Sequence, residues 1–339
     1  MKINIILPNS SIKKNGNKNT AKRYEKILKK LNHNVYFDDN AITDYDCVIV
    51  LHSWKCREYI KNFRKNYPKR FIITILTGTD IYKYQYTNPN EFNLSLELSD
   101  YLICLHALVK NDIPSKYLNK LIYIPQSSQI INKKIKNKKI KNIKNIKNIK
   151  NIKNIKKYIT QDKFQICVIG HLREEKDPFR IVEAMKFVPQ DSKIIIKHLG
   201  KALDKEYESK AKNYVQTNIR YQWLGELDHL DTIEILNNSN LMVISSIMEG
   251  GANVVSEALV HDIPIIASDI SGNKGMLGLD YKGYFKTKNS KSLADLIIKA
   301  ETDNEFLKEL EKDCKKLSEN YTLQKEIDNW NQLIKKIQN

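Results

Sequence analysis

The chain has 339 residues, 41% apolar and 28% charged, which is enough for two globular domains with sizeable cores. Its net charge of +18 is unevenly placed: twelve lysines and no acid lie between positions 133 and 157, and the rest of the chain carries +6. The basicity therefore belongs to one segment and argues against a nucleic-acid-binding folded part, and no apolar run approaches membrane-spanning length.

The five cysteines (Cys47, Cys56, Cys104, Cys167 and Cys314) form no C-x-x-C pair. Cys47, Cys104 and Cys167 fall within apolar strand patterns. They read as packed, reduced thiols. The chain enters a strand at once, without a signal-peptide pattern, so the expectation is a cytoplasmic protein with no membrane anchor.

In chain order, Lys2-Ile3-Asn4-Ile5-Ile6-Leu7-Pro8 predicts a buried first strand ended by proline. A polar loop over residues 9–19 precedes helical spacing from Thr20 to Leu31, and Val35-Tyr36-Phe37 starts a second strand. Further strands are expected at residues 47–51, 71–76, 101–105 and 121–124, with helices or loops between them. Such alternation predicts an α/β fold with parallel sheets covered by helices on both faces. Ligands of such sheets bind beyond the carboxyl ends of the strands.

Residues 129–157 break this pattern with a repeated Asn-Ile-Lys triplet. A period of three gathers the isoleucines on no single helix or strand face, and the lysines repel one another. The segment reads as an expanded insertion where an inter-domain linker belongs. Alternation then resumes, with strands near residues 165–169, 193–198, 221–224, 241–245 and 263–267, and residues 290–339 read as helical. The expected organisation is a first domain over 1–128, the insertion over 129–160, a second domain over 161–318 and a last helix over 319–339.

The apolar strand Leu241-Met242-Val243-Ile244 runs into Ser245-Ser246-Ile247-Met248-Glu249-Gly250-Gly251-Ala252-Asn253, and a helical pattern carrying Glu257 follows. Amides freed at a helix start can hold an anion, and Gly250 and Gly251 let a ligand approach the main chain. Asn253 is an N-cap candidate. Glu249 and Glu257, with seven residues between them, supply acceptors for sugar hydroxyls. An anion cradle flanked by two such carboxylates suits a nucleotide-diphosphate sugar.

This E-x7-E stretch resembles the signature of glycosyltransferase family 4, whose members have the GT-B fold: two Rossmann-like domains around a cleft, with a final helix crossing back onto the first. The resemblance implies that Glu249 meets the donor sugar, Glu257 holds the ribose, and the Gly250, Gly251, Ala252 and Asn253 backbone holds the diphosphate. After the strand at 165–169, Gly170-His171-Leu172-Arg173-Glu174-Glu175-Lys176 is similar to the family's Gly-Arg-Leu followed by Glu-Lys. Lys176 matches the lysine that steadies the leaving group. His171 stands at the arginine position and Arg173 two residues later, so either can make the second diphosphate contact. The resemblance also puts His52 where the family places a cleft histidine, which leaves it as a sugar contact or a satisfied strand-end side chain. The final crossing helix maps to residues 322–337, with Ile327, Trp330, Leu333 and Ile334 at helical spacing.

Loops carrying Gly16, Asn17, Thr20 and Arg23, then Thr77, Gly78 and Thr79, then Gln126, follow apolar strands in the first half. Their small polar side chains, the guanidinium and a helix N-terminus expected at Thr20 suit a small oxyanion. Asp44-Tyr45-Asp46 precedes a strand instead of following one and reads as a solvated strand entry, so no essential metal or cofactor is expected. Together the loops resemble the selenosugar synthase branch of the family. That resemblance implies transfer of N-acetylglucosamine from its UDP donor to selenophosphate. The alternatives are another acceptor (a thiol, a small alcohol or a glycan), a hydrolysing epimerase, or a nucleic-acid binder using the lysine tract.

Overall fold

The computed structural model describes residues 1–8, 16–38, 43–131 and 163–338. The insertion expected over 129–160 lies outside these residues from position 132 onward, as does most of the first polar loop.

Two six-stranded sheets form the framework, and every strand pairing is parallel. The first contains β1 (Lys2–Ile6), β2 (Asn34–Tyr36), β3 (Cys47–Leu51), β4 (Phe71–Leu76), β5 (Tyr101–Cys104) and β6 (Leu121–Tyr123), in the order β2-β1-β3-β4-β5-β6. The second contains β7 (Phe164–Ile169), β8 (Ile194–Leu199), β9 (Tyr221–Gly225), β10 (Leu241–Ile244), β11 (Ile265–Ser268) and β12 (Tyr284–Phe285), in the order β12-β11-β10-β7-β8-β9. Continuous apolar runs mark strands covered on both faces: all five residues of β3 and all four of β10 are buried. This is the expected GT-B architecture.

In each sheet the strand order reverses at one place, between β1 and β3 and between β7 and β10. Open α/β sheets form a crevice at such points. The loop with Lys176 leaves β7, and the loop with Glu249 leaves β10, so topology alone brings the two motifs together.

Helix α1 (Gly16–Lys30) begins a turn earlier than expected. Thr20 is thus a buried side chain inside the helix, not its N-terminus, because Thr20, Ala21, Tyr24, Ile27 and Leu28 share the face packed on the sheet. This half also has α2 (Arg57–Asn66) and α3 (Pro89–Leu98), besides shorter helical turns such as Gln85–Thr87. The second half adds α4 (Arg180–Ala184), α5 (Lys205–Thr217), α6 (His229–Asn237), α7 (Asn253–Val260), α8 (Ser271–Leu277), α9 (Ser290–Thr302) and α10 (Asn304–Ser318).

Helix α11 (Leu323–Gln338) returns to the first sheet, where Ile327, Trp330, Leu333, Ile334 and Ile337 join the core formed by Ile3, Ile5, Tyr24 and Ile49. Trp330 is fully buried, with its ring edge-on to Tyr24 at 4.7 Å. Trp330→Ala removes the largest side chain of this contact. It is expected to lower stability by about 3–5 kcal/mol, read as a lower urea midpoint.

Asp44 and Asp46 are occupied by Arg70, at 2.7 Å and 3.2 Å, and Asp46 also accepts from the Lys2 amide at 2.7 Å. They tie the entry of β3 to its neighbours. No helix among the described residues is long and apolar enough to cross a membrane.

Candidate functional site

The β7 and β10 loops meet as one hydrogen-bonded unit. The Ser245 hydroxyl donates to the carbonyls of Lys176 and Asp177, at 3.1 Å and 2.9 Å, and the Ile247 amide donates to Glu175 O at 2.9 Å. These bonds hold the turn from Glu174 to Asp177 beside the signature loop. The Lys176 ammonium then reaches Glu249 Oε1 at 2.5 Å. The same oxygen accepts from Ser246 Oγ at 2.5 Å. Glu249 is 9% exposed, so its charge is balanced inside the fold by one cation and one hydroxyl. Among the described residues both bonds fall on Oε1, which leaves the lone pairs of Oε2 as open acceptors.

A buried relay stands behind Glu249. Asn273 Nδ2 donates to Ser268 Oγ at 3.0 Å, and Ser268 Oγ donates to the Ser246 carbonyl at 2.5 Å. Ser246, Ser268 and Asn273 are each at most 1% exposed. None was singled out from the sequence. The only hint was two serines directly after an apolar strand; which polar side chains they meet is decided by β11 and α8.

Glu257 lies about one turn into α7, outside the Lys176–Glu249 pair. Its Oε1 is 3.1 Å from His229 Nε2 on α6. The Glu257 carboxylate raises the His229 pKa above the ordinary imidazole value. Asn253 is not the N-cap of α7. Ala252 occupies that position, and the Asn253 side chain accepts from Arg23 across the domain interface. Gly170 packs against the Lys176 stem, 3.7 Å from Cδ at its Cβ position. His171 Nδ1 accepts from the Lys201 amide at 3.1 Å, and Arg173 pairs with Glu175 at 3.7 Å.

On the facing domain, the β4 loop is built around Asp80, which is fully buried. Its carboxylate accepts from the amides of Thr77 at 2.9 Å, Gly78 at 2.7 Å and Ser53 at 3.2 Å. This carboxylate joins the loops after β3 and β4. It closes the Leu76-Thr77-Gly78-Thr79-Asp80 element of the sequence, without being among the expected site residues. The next residues form a π-helical turn, Asp80–Tyr84, a local distortion common at functional sites.

His52 leaves β3 at φ 91°, a conformation β-carbon-bearing residues rarely take. Its Nε2 lies 2.9 Å from Thr79 Oγ1, and the ring is buried. Burial lowers its pKa below the ordinary value, so the imidazole is neutral at pH 7.

Arg23 is the junction of three elements. It donates to Gln126 Oε1 at 2.8 Å, to Asn253 Oδ1 at 3.1 Å and to Glu326 of α11 at 3.1 Å. Thr20 Oγ1 reaches the same Gln126 oxygen at 3.2 Å. Thr20, Arg23 and Gln126 therefore form one cluster, whereas a Cβ on Gly16 would stand in open space and Asn17, beside it, is half-buried.

The two domains touch main chain to main chain. A Cβ on Gly78 would lie 2.6 Å from Gly250 N, and a Cβ on Gly250 would lie 2.3 Å from Thr77 C. Gly251 likewise lies against Leu105. Thr77 and Gly78 thus meet Gly250 directly, and Leu105 meets Gly251. A separate cavity of about 440 Å³ lies behind the Lys176 turn, lined by Glu174, Phe179, Arg180, Tyr207 and Ile247 among others, and includes neither Glu249 nor Lys176.

Two buried histidines besides His52 give the structure a pH signature. Burial pushes His106 and His198 each down to about 4. A histidine with a depressed folded-state pKa binds its proton more readily when unfolded. Its stabilisation is complete above about pH 6.5 and declines as pH falls toward 4. Each contributes about 3 kcal/mol over that window. The urea midpoint is expected to fall between pH 6.5 and 5, before most carboxylates titrate.

Comparison with protein families matches residues 148–321, just over half the chain, to Glycosyl transferases group 1. An uncharacterized glycosyltransferase of Methanocaldococcus jannaschii is 27% identical over 210 residues, covering 52% of this chain and 50% of that protein. The UDP-Gal:alpha-D-GlcNAc-diphosphoundecaprenol alpha-1,3-galactosyltransferase of Escherichia coli is 25% identical over 176 residues, covering 50% of this chain and 45% of that protein. The chain thus aligns with about half the length of these curated relatives. Among solved structures, Anabaena HepE in complex with UDP superposes with a TM-score of 0.76 at 13% identity, covering 99% of this chain and 100% of that one. Sucrose-phosphate synthase of Thermosynechococcus elongatus superposes with a TM-score of 0.75 at 14% identity, covering 99% and 98%. These two likenesses are of fold. With the strand order, the β7 and β10 loops and the matched segment all in agreement, the chain belongs to the Glycosyl transferases group 1 family.

Proposed function

We propose that the protein transfers a sugar from a UDP-sugar, N-acetylglucosamine by resemblance, to a small anionic acceptor, with selenophosphate as the favoured one. The observation that carries the donor half is the Lys176–Glu249 pair at the switch point of the second sheet, with Glu249 Oε2 left for the sugar. In this reading Glu257 holds the ribose, and the amides from Gly250 to Asn253, with His171 or Arg173, hold the diphosphate. Lys176 then steadies charge as the bond from the anomeric carbon to the diphosphate oxygen breaks and its electrons leave with UDP.

The acceptor half rests on the first-domain loops. Thr77, Gly78, Thr79 and His52 line one side of the joint, and Thr20, Arg23 and Gln126 another. Selenophosphate is itself an anionic nucleophile, so its selenium needs orientation toward the anomeric carbon more than it needs a general base. A neutral His52 is compatible with that role. Phosphate leaves when water later cleaves the selenium–phosphorus bond. No essential metal is invoked.

Mass spectrometry after incubation with UDP-N-acetylglucosamine, with and without selenophosphate, tests this. A selenium-bearing sugar formed only with both substrates supports the full reading. UDP release with a thiol, small alcohol or glycan, and none with selenophosphate, retains the donor site and discards the selenium acceptor.

A further inference from the structure

Helix α8 has a separate contact on each side. Toward the donor site, a Cβ on Gly272 would lie 2.2 Å from the Glu249 carbonyl oxygen, so the first turn of the helix lies directly beneath Glu249. From the same turn, Asn273 starts the relay through Ser268 and Ser246 that ends on Glu249 Oε1. Toward the first domain, Ser271 Oγ donates to Asp112 Oδ2 at 2.5 Å. That oxygen also accepts from Tyr82 Oη at 2.8 Å.

Tyr82 belongs to the π-helical turn after the β4 loop, and its amide donates to Gly78 O at 2.8 Å. Tyr82 Oη gives its only proton to Asp112. The contact with His106 Nε2 at 2.8 Å therefore requires that nitrogen to carry the hydrogen. His106 Nδ1 is then an acceptor facing the Gly275 backbone, where a Cβ would lie 2.2 Å away. A continuous set of bonds thus runs from Gly78, through Tyr82, Asp112 and Ser271, to the turn that orients Glu249.

We propose that Asp112, Ser271, Asn273 and Ser246 are positioning residues. Docking of the first domain on α8 fixes the Glu249 carboxylate in its working orientation, so Glu249 is fully aligned only when the acceptor loop is in place. This rests on the transferase reading and adds a mechanism that couples its two half-sites. Its chemical use is to tie sugar activation to the arrival of the acceptor domain, which limits loss of the donor to water.

The test uses the full chain with Ser271→Ala, Ser246→Ala, the double variant and Ser271→Thr. UDP binding, turnover of UDP-N-acetylglucosamine with selenophosphate, and amide hydrogen exchange over residues 245–251 are measured for each. The inference expects Ser271→Ala to lower kcat about tenfold with UDP affinity within about twofold. It expects faster exchange over 245–251, recovery in Ser271→Thr, and a double variant no worse than the poorer single.

Wild-type kcat and unchanged exchange in Ser271→Ala would overturn it. So would losses that multiply in the double variant. If the wild type turns over no UDP-sugar, the transferase reading fails by itself. The coupling is then decided by exchange alone: faster exchange over 245–251 in Ser271→Ala supports it and unchanged exchange rejects it.

Discussion

Lys176→Met is expected to lower kcat by about 10²–10³ while the protein remains folded. Methionine keeps most of the stem that packs beside Gly170 and removes only the ammonium group. Among the described residues the ammonium is the one cation bonded to Glu249, whose side chain is 10% exposed. Two effects follow from its loss. On the proposed reading the departing diphosphate loses a fixed positive charge, and among the described residues Glu249 keeps only Ser246 as a bonded partner. The first acts mainly in the transition state, where charge on the diphosphate grows, so kcat falls more than donor affinity. Kinetics of UDP release against donor concentration check this. A variant with wild-type kcat and a raised KM would place Lys176 in ground-state binding only.

Gly78→Ala is expected to cost about 10² in kcat with UDP binding retained. Gly78 has φ +119°, a region closed to side chains, and its missing Cβ makes room for Gly250 N at 2.6 Å. Alanine strains the β4 loop and holds the two domains apart by about an ångström, a misplacement sufficient for a loss of that size. On the proposed reading UDP is held by the second domain and has no contact to lose. Small-angle scattering should show a more open particle, and calorimetry should show UDP affinity within about threefold of wild type. Equal losses of UDP affinity and kcat would mean that the change had damaged the donor domain itself.

The fold was largely legible because buried parallel strands announce themselves as short apolar runs. The stretches at 47–51, 71–76 and 241–245 needed no tertiary information to be read. The return of α11 followed from the family resemblance; the helical spacing of Ile327, Trp330, Leu333 and Ile334 marked only its apolar face. Helix starts were less legible. α1 begins at Gly16, in a stretch of Gly, Asn and Lys that reads locally as loop but is drawn into the helix by the buried face beginning at Thr20.

Within the candidate site, Glu249 was visible in a strand, glycine pair and helix in order, and Lys176 through the resemblance of residues 170–176 to the family motif. The residues that hold them were not. Ser246, Ser268 and Asn273 gain meaning only when β10, β11 and α8 are stacked. Asn253 looked like a cap because Asn at a helix start usually is one, yet Arg23, 230 positions away, takes its side chain. Polar partnerships over such separations leave no local pattern, whereas apolar periodicity does.

The central claim is that the segment from Glu249 to Glu257 holds the nucleotide of a sugar donor. Calorimetric titration with UDP tests it most directly. Wild-type protein is expected to bind saturably, and Glu257→Ala to bind about 10- to 100-fold more weakly through loss of the ribose hydrogen bonds. Binding by Glu257→Ala as tight as wild type, or no binding by the wild type, would contradict it.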